Sequence, residues 1–577
     1  MTVKSPRVFI ADFDLVGYHG HFFNQVFGLR EAAKERGLAT RIYICRKALP
    51  KIAEELDAQA ILPPIQWLTG DYDSALESFA DTQHGLIPFW SDLEASQISM
   101  QDLLVVTSSR PQVIYAVGQW LGSRAASARP AVTFRFFGPD FYDFETKAFK
   151  EAAWAYRFAS RIFLRAPGAE RVFFSLNDQA ALVHLERLSL RKAFYLPVPK
   201  YYGAVTGRSA ARTGQPLKIY IYANGRSGLI ADRITDLINS ILSRYPDVKF
   251  LVRFTKNAPG EDDVRAKVDA SGIGQSVEII PADQSHVDYL ATIERSDVIL
   301  LPHSPVIYRG IVSGVFCEIA AMGKIAVIPA GTWMADHVAS GHAAGVLFED
   351  NSLTEMVNAV ERVIRDRTHL QNLADRCARP FREENSCAKN LEGMIELAGQ
   401  AHDMRLSCVP LTDTTKALGS QHYFGEGWHF VDPGFGIWSD GDRAEFNFSI
   451  VPNANALFFS AQVRPFLARG HSRLDISLIA NKEPVAEWSF DAARPEDLDW
   501  SWRHVKIPEP IAASGEIQMV LMIHSPASPK DLGLSSDPRK LGIALRRIAL
   551  GPDARDLDSS EPAPKRSRLK RWLKRFR

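Results

Sequence analysis

The feature that most constrains this chain is a pattern that runs twice. Short apolar runs rich in β-formers alternate with helical stretches over residues 7 to about 200, and the alternation restarts at Leu217 and continues to about 400. Val8-Phe-Ile-Ala11 reads as a strand, the segment after Gly20 up to Gly37 as a helix, and Thr40-Arg-Ile-Tyr-Ile-Cys45 as the next strand. Parallel strands need a crossover, usually a helix, so this order predicts a parallel sheet covered by helices. Further strands are expected at Leu103–Thr107, Ala131–Phe137, Arg161–Leu164 and Ala193–Leu196.

Between the two runs, Gly203 to Gln215 is rich in Gly, Ser, Thr, Ala and Arg and has no hydrophobic period, as an exposed connection would. The second run offers strands at Leu217–Tyr222, Val248–Arg253, Val277–Ile280, Val298–Leu301 and Ile325–Ile328, and helices at Ala231–Tyr245 and Val315–Met322. Beyond residue 420 the texture changes to alternating apolar and polar residues, as in Ala444–Ile450, Leu457–Val463, Leu474–Ile479 and Ile517–Ile523. Strands without intervening helices predict an antiparallel β-sandwich or jelly roll. The expected domains are residues 1–202 and 203–405, both Rossmann-like, then 420–553 as the β-sandwich and 554–577 as linker and tail.

A chain of 577 residues is too long for one core, and 46% hydrophobic with 23% charged residues fits a folded, non-fibrous protein. No segment has the ~18 apolar residues of a membrane span, and Val8–Ala11 is too short for a signal peptide, so a cytoplasmic protein is expected. Five cysteines, at 45, 317, 377, 387 and 408, show no CxxC spacing and indicate neither a disulfide framework nor a zinc site. Net charge is +1, but the last thirteen residues contribute +8, which leaves −7 on residues 1–564. That distribution argues against nucleic-acid binding and for one local contact. In the tail, Leu569, Trp572, Leu573 and Phe576 form an apolar stripe flanked by basic residues, the pattern of an interfacial helix on anionic lipid; a solvated basic tail is the alternative.

The chemistry is concentrated in Tyr308-Arg-Gly-Ile-Val-Ser-Gly-Val-Phe-Cys-Glu-Ile-Ala-Ala-Met-Gly-Lys324, followed by a strand and Pro329-Ala-Gly-Thr332. Ser313 and Gly314 open a helix, where unpaired backbone N–H groups and the helix dipole favour a phosphate. Glu318 lies one turn on, placed to accept hydrogen bonds from a sugar diol; a solvated helix face is the plain alternative. His303, in Leu301-Pro-His-Ser-Pro305, follows a strand end and should face the crevice where open parallel sheets bind ligands. Asp12-Phe-Asp14 has the spelling of a metal motif but ends a strand, where it more naturally shapes a loop.

The order Tyr-Arg, Ser-Gly-Val-Phe, Glu, Ala-Met-Gly-Lys, strand, Pro-Ala-Gly-Thr resembles the donor segment of bacterial family 4 glycosyltransferases, over roughly residues 7–400. The resemblance implies the GT-B fold, retention of anomeric configuration, a nucleotide-sugar donor, no cofactor and no bound metal. It also implies that Glu318 binds the donor ribose. The family's other glutamate, with seven residues between the two, falls at Gly310, so its contact to the donor sugar is missing here, and Arg309 stands beside the gap. Arg226, in Asn224-Gly-Arg-Ser-Gly228, matches the basic residue that neutralises the diphosphate, with Asn224 beside it, and Lys256 is the candidate second cation. Two cations suit departure of a nucleoside diphosphate, which develops negative charge. In the first domain, Gly20 matches the glycine loop near the donor phosphate, while His19 and His21 are candidates for acting on the acceptor or capping the helix. Gly138-Pro-Asp140, Asp143 and Glu145 form a second acceptor-side candidate.

The sandwich resembles a module appended to bacterial polysaccharide glycosyltransferases, in which Trp428, Trp438, Trp500 and Trp502 are either sugar-stacking or core residues. By the same resemblance the expected partners are a nucleotide-sugar and a glycan or lipid-linked acceptor, and the pattern of the tail adds an anionic membrane surface at the inner face of the plasma membrane. The expected setting is surface polysaccharide or lipopolysaccharide synthesis. Two other readings stay open, a catalytically inactive GT-B scaffold and a GT-B sugar-nucleotide epimerase.

Overall fold

The computed structural model describes residues 6–552 apart from 19–20, 66–67, 69–71, 139, 147, 165–166, 204–214, 224–230, 255–260, 282–283, 285, 401, 414–422, 433–434, 454 and 456. The chain forms two compact units, one of residues 1–189 with 193–402 and one of residues 190–192 with 403–577.

The first unit holds two parallel sheets. One comprises β1 (Arg7–Asp12), β2 (Ala39–Cys45), β3 (Ala58–Leu62), β4 (Leu103–Val106), β5 (Ala131–Phe136), β6 (Val172–Leu176) and β7 (Ala193–Tyr195), in the order β3-β2-β1-β4-β5-β6-β7. The other comprises β8 (Lys218–Ala223), β9 (Lys249–Phe254), β10 (Val277–Ile280), β11 (Val298–Leu300), β12 (Ile325–Pro329) and β13 (Gly345–Phe348), in the order β10-β9-β8-β11-β12-β13. In both, the order reverses beside the first strand, as in a doubly wound dinucleotide-type fold. The strands carry near-continuous apolar runs, because helices on each face bury both sides.

One expected strand is absent. Arg161–Leu164 forms a 3₁₀ turn that continues the helix Ala153–Ser160 without a break. No turn residue separates Ser160 from Arg161, and Phe163 drops into the core that the helix already borders. The strand belonging to that stretch is β6.

Three helices matter for the site: α1 (Phe22–Glu35), α2 (Gly314–Ala321) and α3 (Cys387–Gly399). Although α3 ends the second run, it packs on α1 of the first. Gly28 permits this approach, since a Cβ there would lie 2.4 Å from Cys387 Sγ and 2.7 Å from Tyr201 Cβ. Gly28→Ala should therefore lower stability by about 1–3 kcal/mol, although alanine is the better helix former by about 1 kcal/mol. Urea unfolding of the variant, alone and with Cys387→Ala, measures this; partial recovery in the pair is the expected result.

The second unit is β-rich. One antiparallel sheet contains Trp428–Asp432, Gly436–Asp440, Leu541–Gly551, Leu457–Pro465 and Ser501–Ile507, with Val409–Asp413 also paired to Leu541–Gly551. The other contains Arg443–Ser449, Glu516–His524, Arg473–Ala480 and Glu483–Asp491. Alternation works as expected: Leu474, Ile476, Leu478 and Ala480 are buried, while the residues between them are partly exposed. Trp428, Trp438, Trp500 and Trp502 are all half-buried. The Trp428 indole donates to the Glu445 carbonyl at 2.7 Å, Trp438 and Trp500 flank Phe435, and Trp502 stacks on His504. Residues 565–577 lie outside the described residues.

Candidate functional site

The start of α2 is built by its own sequence. Ser313 has extended backbone geometry at the cap, and its Oγ accepts from the Phe316 N–H at 3.3 Å, satisfying one of the otherwise unpaired donors of the first turn. His303 stands behind the cap, with its Nε2 3.5 Å from Ser313 Oγ and its ring stacked on Tyr308 at 4.1 Å. Both His303 and Ser313 are buried and brace the turn, and the first N–H groups of a helix have no carbonyl partner within it.

Glu318 is not on a solvated face; it is 5% exposed. Its Oε1 meets Lys200 Nζ at 2.5 Å, and its Oε2 accepts from the Tyr289 hydroxyl at 2.5 Å. Burial first, and then the Glu318 charge, hold the Tyr289 phenol well above its ordinary range, so it remains a donor. Arg253, at the end of β9, lies over the rings of Tyr289 and Tyr222 at 5.1 and 5.6 Å. Lys200 also reaches the mouth of α2, its Nζ standing 3.8 Å from where a Cβ on Gly314 would be. An ammonium carries three donors and Glu318 takes one, so a cation sits beside the helix start with donors to spare.

Of the residues singled out from sequence, the structure brings His303, Ser313, Gly314 and Glu318 together around α2. Arg309 is exposed, and its charge acts on Asp336. Gly310 is buried where the family's other glutamate would stand, and its carbonyl lies 3.4 Å from where a Cβ on Gly138 would be. Gly20, His19, Asn224, Arg226 and Lys256 lie outside the described residues. Lys200, Tyr289 and Arg253 were not anticipated. Lys200 closes Leu196-Pro-Val-Pro-Lys200 and belongs to no motif; its partner is 118 positions away.

His21 occupies the cap position of α1 without capping it, its ring packed on Phe137 at 3.9 Å and Phe22 at 4.2 Å. Burial, then the charges of Lys200 and Arg135, push its pKa down to about 3. The imidazole is neutral at pH 7 and a weak base there. Asp143 accepts from the N–H groups of Glu145 and Thr146, which shapes an exposed turn, and Asp140 pairs with Arg110 at 3.8 Å.

Asp12 shapes the loop after β1. Its Oδ1 accepts from the Asp14 and Leu15 N–H groups at 3.0 and 2.9 Å, and its Oδ2 from the Thr107 hydroxyl at 2.7 Å. Complete burial, opposed in part by these bonds, pushes its pKa up to about 6. A carboxyl raised on folding stabilises the fold below its unfolded pKa and loses that contribution as pH rises through the folded value. Asp12→Asn mimics the neutral form, because Thr107 Oγ1 can turn its proton to the Ala11 carbonyl at 3.1 Å and accept from the amide. The variant should gain about 2–3 kcal/mol on the parent between about pH 4.5 and pH 8, read by urea unfolding at both.

Among the described residues, no three or more His, Cys, Asp or Glu side chains converge as a metal site would, and no helix is long and apolar enough to cross a membrane. All five cysteines are free thiols.

No family model and no curated protein matches the chain. Three solved structures align with part of the chain. A glycosyltransferase from Rickettsia africae aligns at 13% identity and a TM-score of 0.49, covering 68% of this chain and 99% of its own. The UDP-GlcNAc 2-epimerase of Neisseria meningitidis, bound to UDP-GlcNAc, aligns at 14% identity and 0.42, covering 68% and 99%. The Anabaena protein HepE, in complex with UDP and glucose, aligns at 12% identity and 0.45, covering 68% and 100%.

Proposed function

We propose that this chain is a glycosyltransferase of GT-B type that binds a nucleotide-sugar at the start of α2 and transfers the sugar to a glycan or lipid-linked acceptor. One observation carries the reading: Lys200, Glu318 and the capped turn Ser313-Gly314 form a single cluster after a strand of the parallel sheet, with Glu318 and Ser313 buried and Lys200 and Gly314 partly exposed. The chemistry fits a nucleoside diphosphate. Backbone N–H groups, the helix dipole and the Lys200 ammonium all favour a diphosphate, most of all as its charge grows on departure of the sugar. Glu318 keeps lone pairs beyond those that Lys200 and Tyr289 occupy, since an ionised carboxylate accepts about four hydrogen bonds, and these suit a ribose diol.

Arg226 and Lys256 join Lys200 as cations in this reading, with Asn224, His303, Arg309 and Gly20 around the donor and His21 toward the acceptor side. Retention of configuration, activity without a metal, and surface-polysaccharide or lipopolysaccharide synthesis belong to the same proposal and rest on the resemblance, whereas a membrane contact through residues 565–577 rests on the apolar stripe and basic flanks of that sequence.

Thermal-shift screening of the full chain against UDP-, GDP-, ADP- and CMP-sugars, with and without EDTA, tests it, because a ligand that binds only the folded state raises Tm. A shift with one donor, insensitive to EDTA and followed by acceptor-dependent release of the nucleoside diphosphate, is the expected result. No shift with any donor would overturn the reading.

A further inference from the structure

The first sheet buries an arginine that no hydrogen bond holds among the described residues. Arg135, on β5, is 1% exposed, and among the described residues its Nε, Nη1 and Nη2 have no hydrogen-bond partner. Its neighbours on β5, Val132, Phe134 and Phe136, face the apolar core, so Arg135 points to the opposite side, where α3 packs on the strand. The guanidinium stands 5.3 Å from the Phe137 ring centroid. A buried charge without a counter-charge costs several kcal/mol, and interior arginines therefore pair with carboxylates or phosphates.

Among the described residues no carboxylate fills that role. The electrostatic neighbour of Arg135 is Cys387, a thiol that burial pushes up to about 12 and so keeps neutral. Burial lowers the arginine only to about 10, so it is charged at pH 7.

Other polar atoms nearby are equally without hydrogen-bond partners among the described residues. His21, stacked on the same Phe137 ring, has a buried Nε2 with no partner. One turn along α1, Gln25 is 1% exposed, and neither its Nε2 nor its Oε1 has a partner. The Gln25 carbonyl lies 3.9 Å from Cys387 Sγ, which places that turn of α1 beside the thiol that Arg135 faces. The N-terminus of α1 opens toward this group and adds its own preference for negative charge.

We propose that Arg135, His21 and Gln25 form an anion subsite in the first domain that takes an oxyanion carried on a hydroxylated frame, as in a sugar phosphate or a sugar acid. The guanidinium fork matches two oxygens of a phosphate or carboxylate. Gln25 Nε2 and a protonated His21 Nε2 add neutral donors. Gln25 Oε1 is an acceptor, and a bare inorganic anion leaves it unsatisfied, whereas a neighbouring hydroxyl fills it. The subsite uses no residue of α2 and goes beyond the donor reading.

The test titrates the full chain with inorganic phosphate, glucose 6-phosphate, glucuronate and glucose, reading Tm. The expected result is a rise of several degrees with at least one of the two sugar acids, a smaller rise with phosphate and none with glucose. Whichever sugar acid is preferred identifies the oxyanion. Arg135→Met should abolish the response while preserving the shift with the nucleotide-sugar found above, and Glu318→Gln should preserve the sugar-acid response. Gln25→Leu, which leaves the charge in place, should reduce the preference for sugar acids over phosphate. The subsite is refuted by the absence of any shift with the acids, by equal shifts in the parent and in both Arg135→Met and Gln25→Leu, or by a response lost only in Glu318→Gln, which would put the anion at α2.

Discussion

Replacing Glu318 by glutamine is expected to weaken nucleotide-sugar binding about 10- to 100-fold, the effect of losing charge-assisted hydrogen bonds worth about 1.5–3 kcal/mol. Glutamine keeps the length of the side chain, and the Tyr289 hydroxyl can still donate to its amide oxygen. What disappears is the charge that anchors Lys200 and strengthens any bond from a ribose diol. Calorimetry with the donor identified by the screen measures the change in Kd, and circular dichroism confirms that the variant is folded. An unchanged Kd would remove Glu318 from the donor site.

Lys200→Met should have the largest effect on stability, a loss of about 3–5 kcal/mol, because it strands a buried carboxylate whose other partner among the described residues is a phenol. The double variant Lys200→Met with Glu318→Gln removes the stranded charge and should recover most of the loss. Urea unfolding of the parent, both single variants and the double variant yields the coupling energy directly. Additive losses would mean that the two groups do not interact in solution.

The fold was largely legible because its signals are local. Val8–Ala11, Thr40–Cys45 and Val298–Leu300 are β-rich runs bounded by polar or turn residues, and each is a strand within one residue of where it was expected. Arg161–Leu164 has the same apolar texture but follows a helix without punctuation, so composition alone misplaced it. Ala58–Leu62, a short run, escaped notice.

The site was legible only where it is contiguous. Ser313, Gly314 and Glu318 share one loop and one helix, and a reading of neighbours finds them. Lys200 and Tyr289 both precede Glu318, from separate parts of the chain, and their meeting depends on the packing of several elements. Arg135 did leave a trace, a charged residue in the middle of the apolar run Ala131-Val-Thr-Phe-Arg-Phe136.

The chain passes between the two parallel sheets of the first unit twice, once after β7 and once before α3, and the passages touch. Lys200 and Ser386 form a parallel bridge, and the Cys387 N–H donates to the Lys200 carbonyl at 3.1 Å. The two crossings are therefore tied to each other by their backbones along one short line. The same Lys200 that lies on this line carries the ammonium held by Glu318. A ligand that drew that ammonium away from the carboxylate would therefore act where the two crossings are tied together.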